Sequence, residues 1–368
     1  MGRVKGLATP TGTARFRDAA LRKKGIRAEH FRSTPAGLWL TSIGLGTYIG
    51  PPDSVTDHAV EQATQLSLAS HRINVLDTAI NYRYQRAERS LGRAIAREIE
   101  KGDVKRDEIF VSTKSGYFAP DGESKIPPND WVEHELIGPG VLDPVDIVDG
   151  CHAMSVSYLT DQFERSRQNM GLDAIDLLYL HNAADAQLPV VGVEEFRSRL
   201  VEAIGLYEGY RTEGALGAYG LATWDCLRAR RGEASYLSLE SVVRLAEEVA
   251  GEDHGFRFIQ FPFSLGMPEA SQLKNQLVGG SKMTLFEAAQ KLGIGCFTSV
   301  PLIQGQLARA GPKAEGLTSA QTAIQFARSV PGALATLVGQ KSPEHIAENL
   351  QLATLSPWPS LVLDRLLA

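Results

Sequence analysis

Cysteine is scarce in this sequence: Cys151, Cys226 and Cys296 are the only three in 368 residues, and no two form a CxxC pair. An odd number at wide spacing argues against a disulfide framework and against structural zinc, and it fits a reducing compartment, so a cytoplasmic location is expected. Long apolar runs are missing as well. No stretch approaches the roughly 18 residues that a spanning helix needs, and the N-terminus shows no signal-peptide apolar region. Met1-Gly2 imitates a myristoylation start, but Gly6 stands where Ser or Thr is required. The eight histidines are scattered, with no HxH or HxxxH pair, so no metal is expected and a metal-dependent hydrolase is disfavoured. The net charge of −5 gives no general attraction to nucleic acid or to an anionic membrane.

The one marked asymmetry of charge lies at the N-terminus. Residues 1–35 hold nine Lys/Arg and two Asp/Glu, net +7, which leaves −12 for the rest. These cations are interleaved with Ala, Leu, Phe and Gly rather than massed, which reads as a surface arm or barrel cap. Beyond it, short apolar runs alternate with amphipathic stretches. Strands are expected at 43–47, 74–77, 109–113, 175–180, 216–222, 256–261, 295–299 and 333–338, nearly continuous in apolar character as parallel strands covered on both faces should be. One intervening helix is expected to start at Ser54 as N-cap, with Asp57 in its first turn and Val55, Ala59, Ala63 and Leu66 on its buried face. Eight such units without a linker predict a single (β/α)8 TIM barrel over 36–368, the arm being 1–35. Two connections are long, 116–155 and 264–282, and both follow a strand. In a barrel they belong on the C-terminal face, where active sites sit.

Polar residues at the strand ends carry the chemical signal. The second strand ends in Asp77 with Tyr82 five residues on, the third in Lys114, the fourth in His181-Asn182, and the sixth carries Gln260. An Asp, a Tyr, a Lys and a His therefore arrive at one rim. Reducing a carbonyl needs a hydride to carbon and a proton to oxygen, and a phenol is a sluggish acid at neutral pH. A Lys114 ammonium beside Tyr82 would pull that phenol's pKa down, Asp77 would hold the ammonium, and His181 would orient the substrate oxygen. Cys151-His152 offers a nucleophile pair on paper, although neighbours in sequence rarely form one. A glycine-rich turn, Gly44-x-Gly46-x-x-x-Gly50, imitates a dinucleotide loop but is followed by Pro51-Pro52 instead of a helix. A better anion site is Gly339-Gln340-Lys341-Ser342-Pro343-Glu344-His345, where Ser342 reads as an N-cap and Pro343 as the first helical residue.

Taken together, IGLGTYIG at 43–50, LDTAINYRYQRAERSLG at 76–92, IFVSTK at 109–114, IDLLYLHN at 175–182 and TLVGQKSPEHIAEN at 336–349 resemble the aldo-keto reductase family in order and spacing. That resemblance implies a barrel, an NADPH/NADP+ cofactor with NADH possible, and a tetrad of Asp77, Tyr82, Lys114 and His181. It places Gly46, Thr47 and Asp77 near the cofactor and has Asn182 and Gln260 grip the carboxamide. Ser299, Leu302 and Gln304 fall after strand seven, where many members stack an aromatic residue. Gly339, Lys341 and His345 fall at the phosphate, with Glu348 and Asn349 at the adenine. After strand five, Ala222-Thr223 replaces the usual Ser-Asn. Tyr48 and His181 are expected to touch substrate. So is Trp131, on a long loop that also carries Asn129, His134, Ile137, Val141 and Leu142. The implied activity is NADP(H)-dependent interconversion of a small-molecule aldehyde or ketone with its alcohol. A slowly turning redox-sensor subunit and redox-neutral use of bound nicotinamide are the rival readings.

Overall fold

The eight apolar segments are the eight parallel strands of a closed barrel: β1 (Ile43–Gly46), β2 (Val75–Asp77), β3 (Phe110–Ser115), β4 (Ile175–His181), β5 (Leu216–Ala222), β6 (Phe256–Pro262), β7 (Gly295–Ser299) and β8 (Ala333–Gly339). The computed structural model describes residues 2–367. Strand order follows the chain, and β8 closes onto β1 with Gly339 beside Gly46. The strands were readable because they are buried on both faces: every residue of β3 and β4 is buried. Helices α1 (Ser54–Ala69), α2 (Arg86–Lys101), α3 (Val156–Met170), α4 (Ala183–Thr212), α5 (Leu239–Ala250), α6 (Leu285–Lys291), α7 (Ser319–Ser329) and α8 (Pro343–Leu350) follow the strands in turn. The fold is thus a (β/α)8 TIM barrel. Among the described residues no helix is long and apolar enough to cross a membrane.

Val75, Phe110, Leu177, Tyr179, Phe258 and Phe297 fill the barrel interior. Its crowding explains Gly220, where any Cβ would run into the Phe258 carbonyl. The N-terminal end is plugged by residues 2–41. A helix over Pro10–Leu21, capped by the Thr9 side chain, leads into an antiparallel hairpin of Phe31–Ser33 and Trp39–Thr41. Leu40 of that hairpin is fully buried in the interior cluster, a contact worth about 1.5–3 kcal/mol. Residues 35 and 36 form the hairpin's turn. Part of the arm's positive charge faces the protein: Arg15 bonds Asp107 and Glu108 at 2.6 Å each, Arg3 approaches Glu164, and Arg17 lies over Trp39, while Lys5, Arg22, Lys23, Lys24 and Arg27 are exposed.

Helix α1 differs from its expected form. Asp53, not Ser54, is the N-cap, its side chain accepting from Thr56 N at 2.8 Å. The buried face is Thr56, Asp57, Val60, Glu61, Ala63, Thr64, Ser67 and Leu68, while Val55 is 77% exposed and Leu66 is exposed too. The apolar residues mark the wrong stripe because five of the eight on the true one are polar. Thr64 buries its own without loss by donating to the Val60 carbonyl at 2.8 Å.

The two long connections also have structure. The 116–155 excursion holds a short helix (Pro128–Val132) and a separate core of Trp131, Leu136, Leu142 and Ala153 against Tyr158 of α3. The second contains a hairpin of Gln276–Val278 and Ser281–Met283, turned by Gly279 and Gly280 at φ 56° and 80°. Asn275 and Gln276 tie that hairpin to the carbonyls of Leu227, Ala229 and Leu237. It packs beside α5 and α6, and no residue of 264–282 borders the cleft described next.

Candidate active site

Strand register brings the polar residues together. Gly46 pairs with Asp77, Asp77 with Ser112, His181 with Ala222, and Ala222 with Gln260. A cleft of about 860 Å³ opens over these ends, at the C-terminal rim.

Its floor is a buried ion pair. Lys114 Nζ donates to Asp77 Oδ2 at 2.7 Å and to the Thr78 carbonyl at 2.7 Å. Asp77 Oδ1 accepts from Ser112 Oγ at 2.7 Å and from Gln260 Nε2 at 3.2 Å. The two side chains are 1% and 5% exposed, so this near-complete bonding is what makes the pair tolerable in the interior. Lys114 Nζ also lies 4.7 Å from the centre of the Tyr82 ring. Tyr82 stands edge-to-face with His181 at 5.8 Å and with Tyr48 at 5.0 Å.

The electrostatics correct one expectation. Burial raises the Tyr82 phenol above its ordinary pKa and outweighs the lowering by Lys114. The phenol therefore carries its proton at neutral pH. Burial by itself would lower Lys114, but Asp77 and then Tyr82 overcome it and the ammonium ends above its usual value. His181 is held far below the ordinary histidine value by burial and then by the Lys114 charge. Its imidazole is neutral, and Nδ1 has no protein partner.

The expected cofactor residues Gly46, Thr47, Asp77, Asn182, Gln260, Ser299, Leu302, Gln304, Gly339, Lys341, His345, Glu348 and Asn349 all border the cleft, as do Tyr48, Tyr82 and His181. Lys114 lies beneath it. Thr47 Oγ1 donates to the Asp77 carbonyl at 3.2 Å, and Asn182 takes a left-handed φ of 49°. Beyond β7 the chain is contorted, with Val300, Ile303 and Gln304 at φ 58°, 46° and 51°. For a β-branched residue such as Val300 this is a strained conformation of the sort found beside binding sites.

At the far end, Ser342 caps α8 by accepting from His345 N at 3.2 Å. Lys341 Nζ rests over Gly50, 2.7 Å from where a Cβ would be, and among the described residues no carboxylate lies within 4 Å of it. Asn349 Nδ2 donates to Gln340 Oε1 at 2.9 Å, which leaves Asn349 Oδ1 and Gln340 Nε2 buried without partners. A free cation and an orphaned acceptor at a cleft wall suit a phosphorylated nucleotide. Glu348 is engaged by the Thr318 hydroxyl.

Trp131 does not reach the cleft. It is 3% exposed, packed in the excursion's own core with the Arg165 guanidinium 5.3 Å over its ring. Its large apolar surface holds the excursion together, which corrects its assignment to substrate. Cys151 and His152 form no nucleophile pair: burial raises the thiol, and both imidazole nitrogens bond elsewhere. Sequence reasoning missed Asn81, Tyr117 and Trp224, which border the cleft. Their signal was position alone, one residue before Tyr82, three after Lys114 and two after Ala222. Trp224 is 43% exposed at the mouth. Its loop is fixed by Asp185, whose carboxylate accepts from Trp224 N, Asp225 N and Cys226 N at 3.0, 2.8 and 3.0 Å.

Among solved structures, the chain superposes on the aldo-keto reductase AKR11C1 from Bacillus halodurans in its holo form, with 18% identity over 92% of this chain and 97% of that one, TM-score 0.61. It likewise matches two Klebsiella pneumoniae structures. One is an aldo/keto reductase complexed with NADP and acetate (18% identity, 92% and 95% covered, TM-score 0.59). The other is an aldo-keto reductase complexed with NADPH (18%, 91% and 94%, TM-score 0.60). These likenesses speak to the fold. Independently of them, residues 42–242 match the sequence model of the aldo/keto reductase family, and with more than half its length so matched the chain belongs to that family.

Proposed function

We propose that this protein is an NADP(H)-dependent oxidoreductase that interconverts a carbonyl and an alcohol. The observation that carries the reading is the Asp77–Lys114 ion pair set beneath Tyr82, with His181 alongside, at one end of a cleft whose other end holds Lys341 and α8. The cofactor assignment draws on family membership and on the NADP and NADPH held by the Klebsiella relatives. The residues fit such a group, with Lys341 and the start of α8 to take phosphate and Asn349 to meet the base. When bound, the nicotinamide supplies the hydride.

The chain's own residues do the rest. Tyr82 gives its proton to the carbonyl oxygen as charge builds there, and Lys114 steadies the phenolate that remains. Asp77 keeps the ammonium in place. Neutral His181 orients the substrate oxygen. Of the charged side chains that border the cleft, Asp77 is neutralised by Lys114, and Lys341 and Glu348 belong to the segment after β8 and to α8, so Tyr48, Asn81, Tyr117 and Trp224 favour an uncharged substrate with an apolar body.

The test is multiple-turnover oxidation of NADPH against a panel of aldehydes and ketones, with Tyr82→Phe alongside. We expect turnover by the unmutated protein and loss of at least a hundredfold in Tyr82→Phe, the scale of general-acid catalysis, with NADPH affinity nearly intact. Oxidation of a single equivalent would point instead to a sensor, and an active Tyr82→Phe would remove the proton donor.

A further inference from the structure

The 116–155 excursion leaves β3 at Gly116 and returns to α3 through His152, a fully buried histidine with no part in the chemistry above. Its two nitrogens make two directed bonds. Nε2 donates to the carbonyl of His181 at 3.0 Å, and Nδ1 accepts from Gln187 Nε2 at 2.9 Å. Gln187 Oε1 in turn accepts from Arg199 at 2.9 Å, and Arg199 is paired with Glu195 at 2.7 Å. An amide that donates to Nδ1 forces the proton onto Nε2, so the tautomer is set from behind. Burial lowers the imidazole to about 4, which keeps it neutral through the physiological range.

The recipient carbonyl belongs to the peptide joining His181 to Asn182. That peptide ends β4 and enters a left-handed turn at Asn182. Thr223 N–H, at the end of the neighbouring strand β5, is taken by the Gln260 carbonyl at 2.8 Å. The Tyr117 ring stands edge-on to both His152 and His181, at 5.1 Å from each, and its hydroxyl lies 3.5 Å from Asn182 Nδ2. The backbone makes room for this arrangement at Gly116, whose φ is 127° and where a Cβ would stand 2.5 Å from His152 Nε2.

We infer that His152 is a positioning residue: held by Gln187, it locks the His181–Asn182 peptide, and through it both side chains at the reacting end of the cleft. The 116–155 excursion thereby contributes to catalysis from behind the site. The inference rests on the carbonyl-reducing reading above. An offset of an ångström in a group that orients substrate lowers a rate about a hundredfold, so the consequence is measurable.

The experiment compares His152→Leu, Gln187→Met and His152→Gln in the full chain. Glutamine keeps one donor and one acceptor at the end of its side chain and should rescue. We expect His152→Leu to lose roughly ten- to a hundredfold in kcat, more than it loses in NADPH affinity. Gln187→Met should fall between it and the unmutated protein, and His152→Gln should recover most of the loss. Imidazole ¹⁵N spectra of the unmutated protein should show His152 as the neutral Nε2–H form from pH 8 to pH 5, which tests the geometry even where His152→Leu does not fold. Unchanged kcat in His152→Leu, equal damage in the leucine and glutamine variants, or a His152 that carries its proton on Nδ1 would each overturn the inference. Absence of turnover in the unmutated protein would instead strike the reading on which it rests, leaving the spectra to judge the geometry.

Discussion

At the scale of single residues, Lys114 has two functions that a substitution would confound. It places positive charge beside Tyr82, and it also neutralises Asp77 where both side chains are almost wholly buried. Removing one partner of a buried pair strands the other, at a cost of about 3–5 kcal/mol. Lys114→Met should therefore lose stability by that order in urea unfolding as well as activity. The double variant Asp77→Asn with Lys114→Met, lacking the stranded carboxylate, should regain much of the stability and none of the turnover. A double variant no more stable than the single one would show that the cost is packing and not charge. The pH dependence has a definite sign. The proposed carbonyl reduction needs the Tyr82 phenol protonated, and burial already lifts that group, so the rate should hold into the alkaline range and fall only above it. Without Lys114, which lowers Tyr82, the phenol rises further. Residual activity of Lys114→Met should lose its alkaline limb at a higher pH than the unmutated protein.

At the scale of elements, what was legible in the sequence followed from burial. The eight strands could be located because parallel barrel strands are covered on both faces and their apolar runs are nearly unbroken; only their ends moved by one or two residues. The polar residues at those ends were legible for the converse reason, that Asp77, Lys114 and His181 interrupt apolar runs. Helix α1 was misread because its inner face sets Thr56, Asp57, Glu61, Thr64 and Ser67 among only three apolar residues. The 116–155 excursion was misread for a deeper reason. Trp131, Leu136 and Leu142 find partners in one another and in Tyr158, and nothing in local pattern separates a pocket lining from a small private core. The consequence is testable. Trp131→Ala should cost about 3–5 kcal/mol, borne locally. Hydrogen exchange should quicken between residues 126 and 148 while the barrel strands stay protected. Since the excursion also delivers His152, kcat should fall although residue 131 is remote from the cleft. Exchange that quickened equally in β3 and β4 would mean that excursion and barrel unfold as one unit.

For the whole molecule the question is how charge is distributed. The chain carries −5 overall while its first 35 residues carry +7, and Arg3 and Arg15 turn part of that excess inward on Asp107, Glu108 and Glu164 to fasten the plug beneath the barrel. The cleft at the opposite end faces an otherwise acidic body, so a polyanionic cofactor meets no general attraction and must be held by local groups. Lys341 is the cation that borders the cleft without a carboxylate partner among the described residues, and the N-terminus of α8 adds its dipole. A 2′-phosphate brings close to two negative charges, and one charge-assisted contact to it contributes on the order of 1.5–3 kcal/mol. Lys341→Ala should accordingly weaken NADPH binding by roughly ten- to a hundredfold. NADH, which lacks that phosphate, should bind the variant and the unmutated protein almost equally. Because Lys341 is only partly buried, added salt should screen its contact and weaken NADPH more than NADH. Titration of both cofactors by fluorescence at two ionic strengths decides the matter. Equal affinities in the unmutated protein would mean that Lys341 and the start of α8 give this chain no preference for NADP.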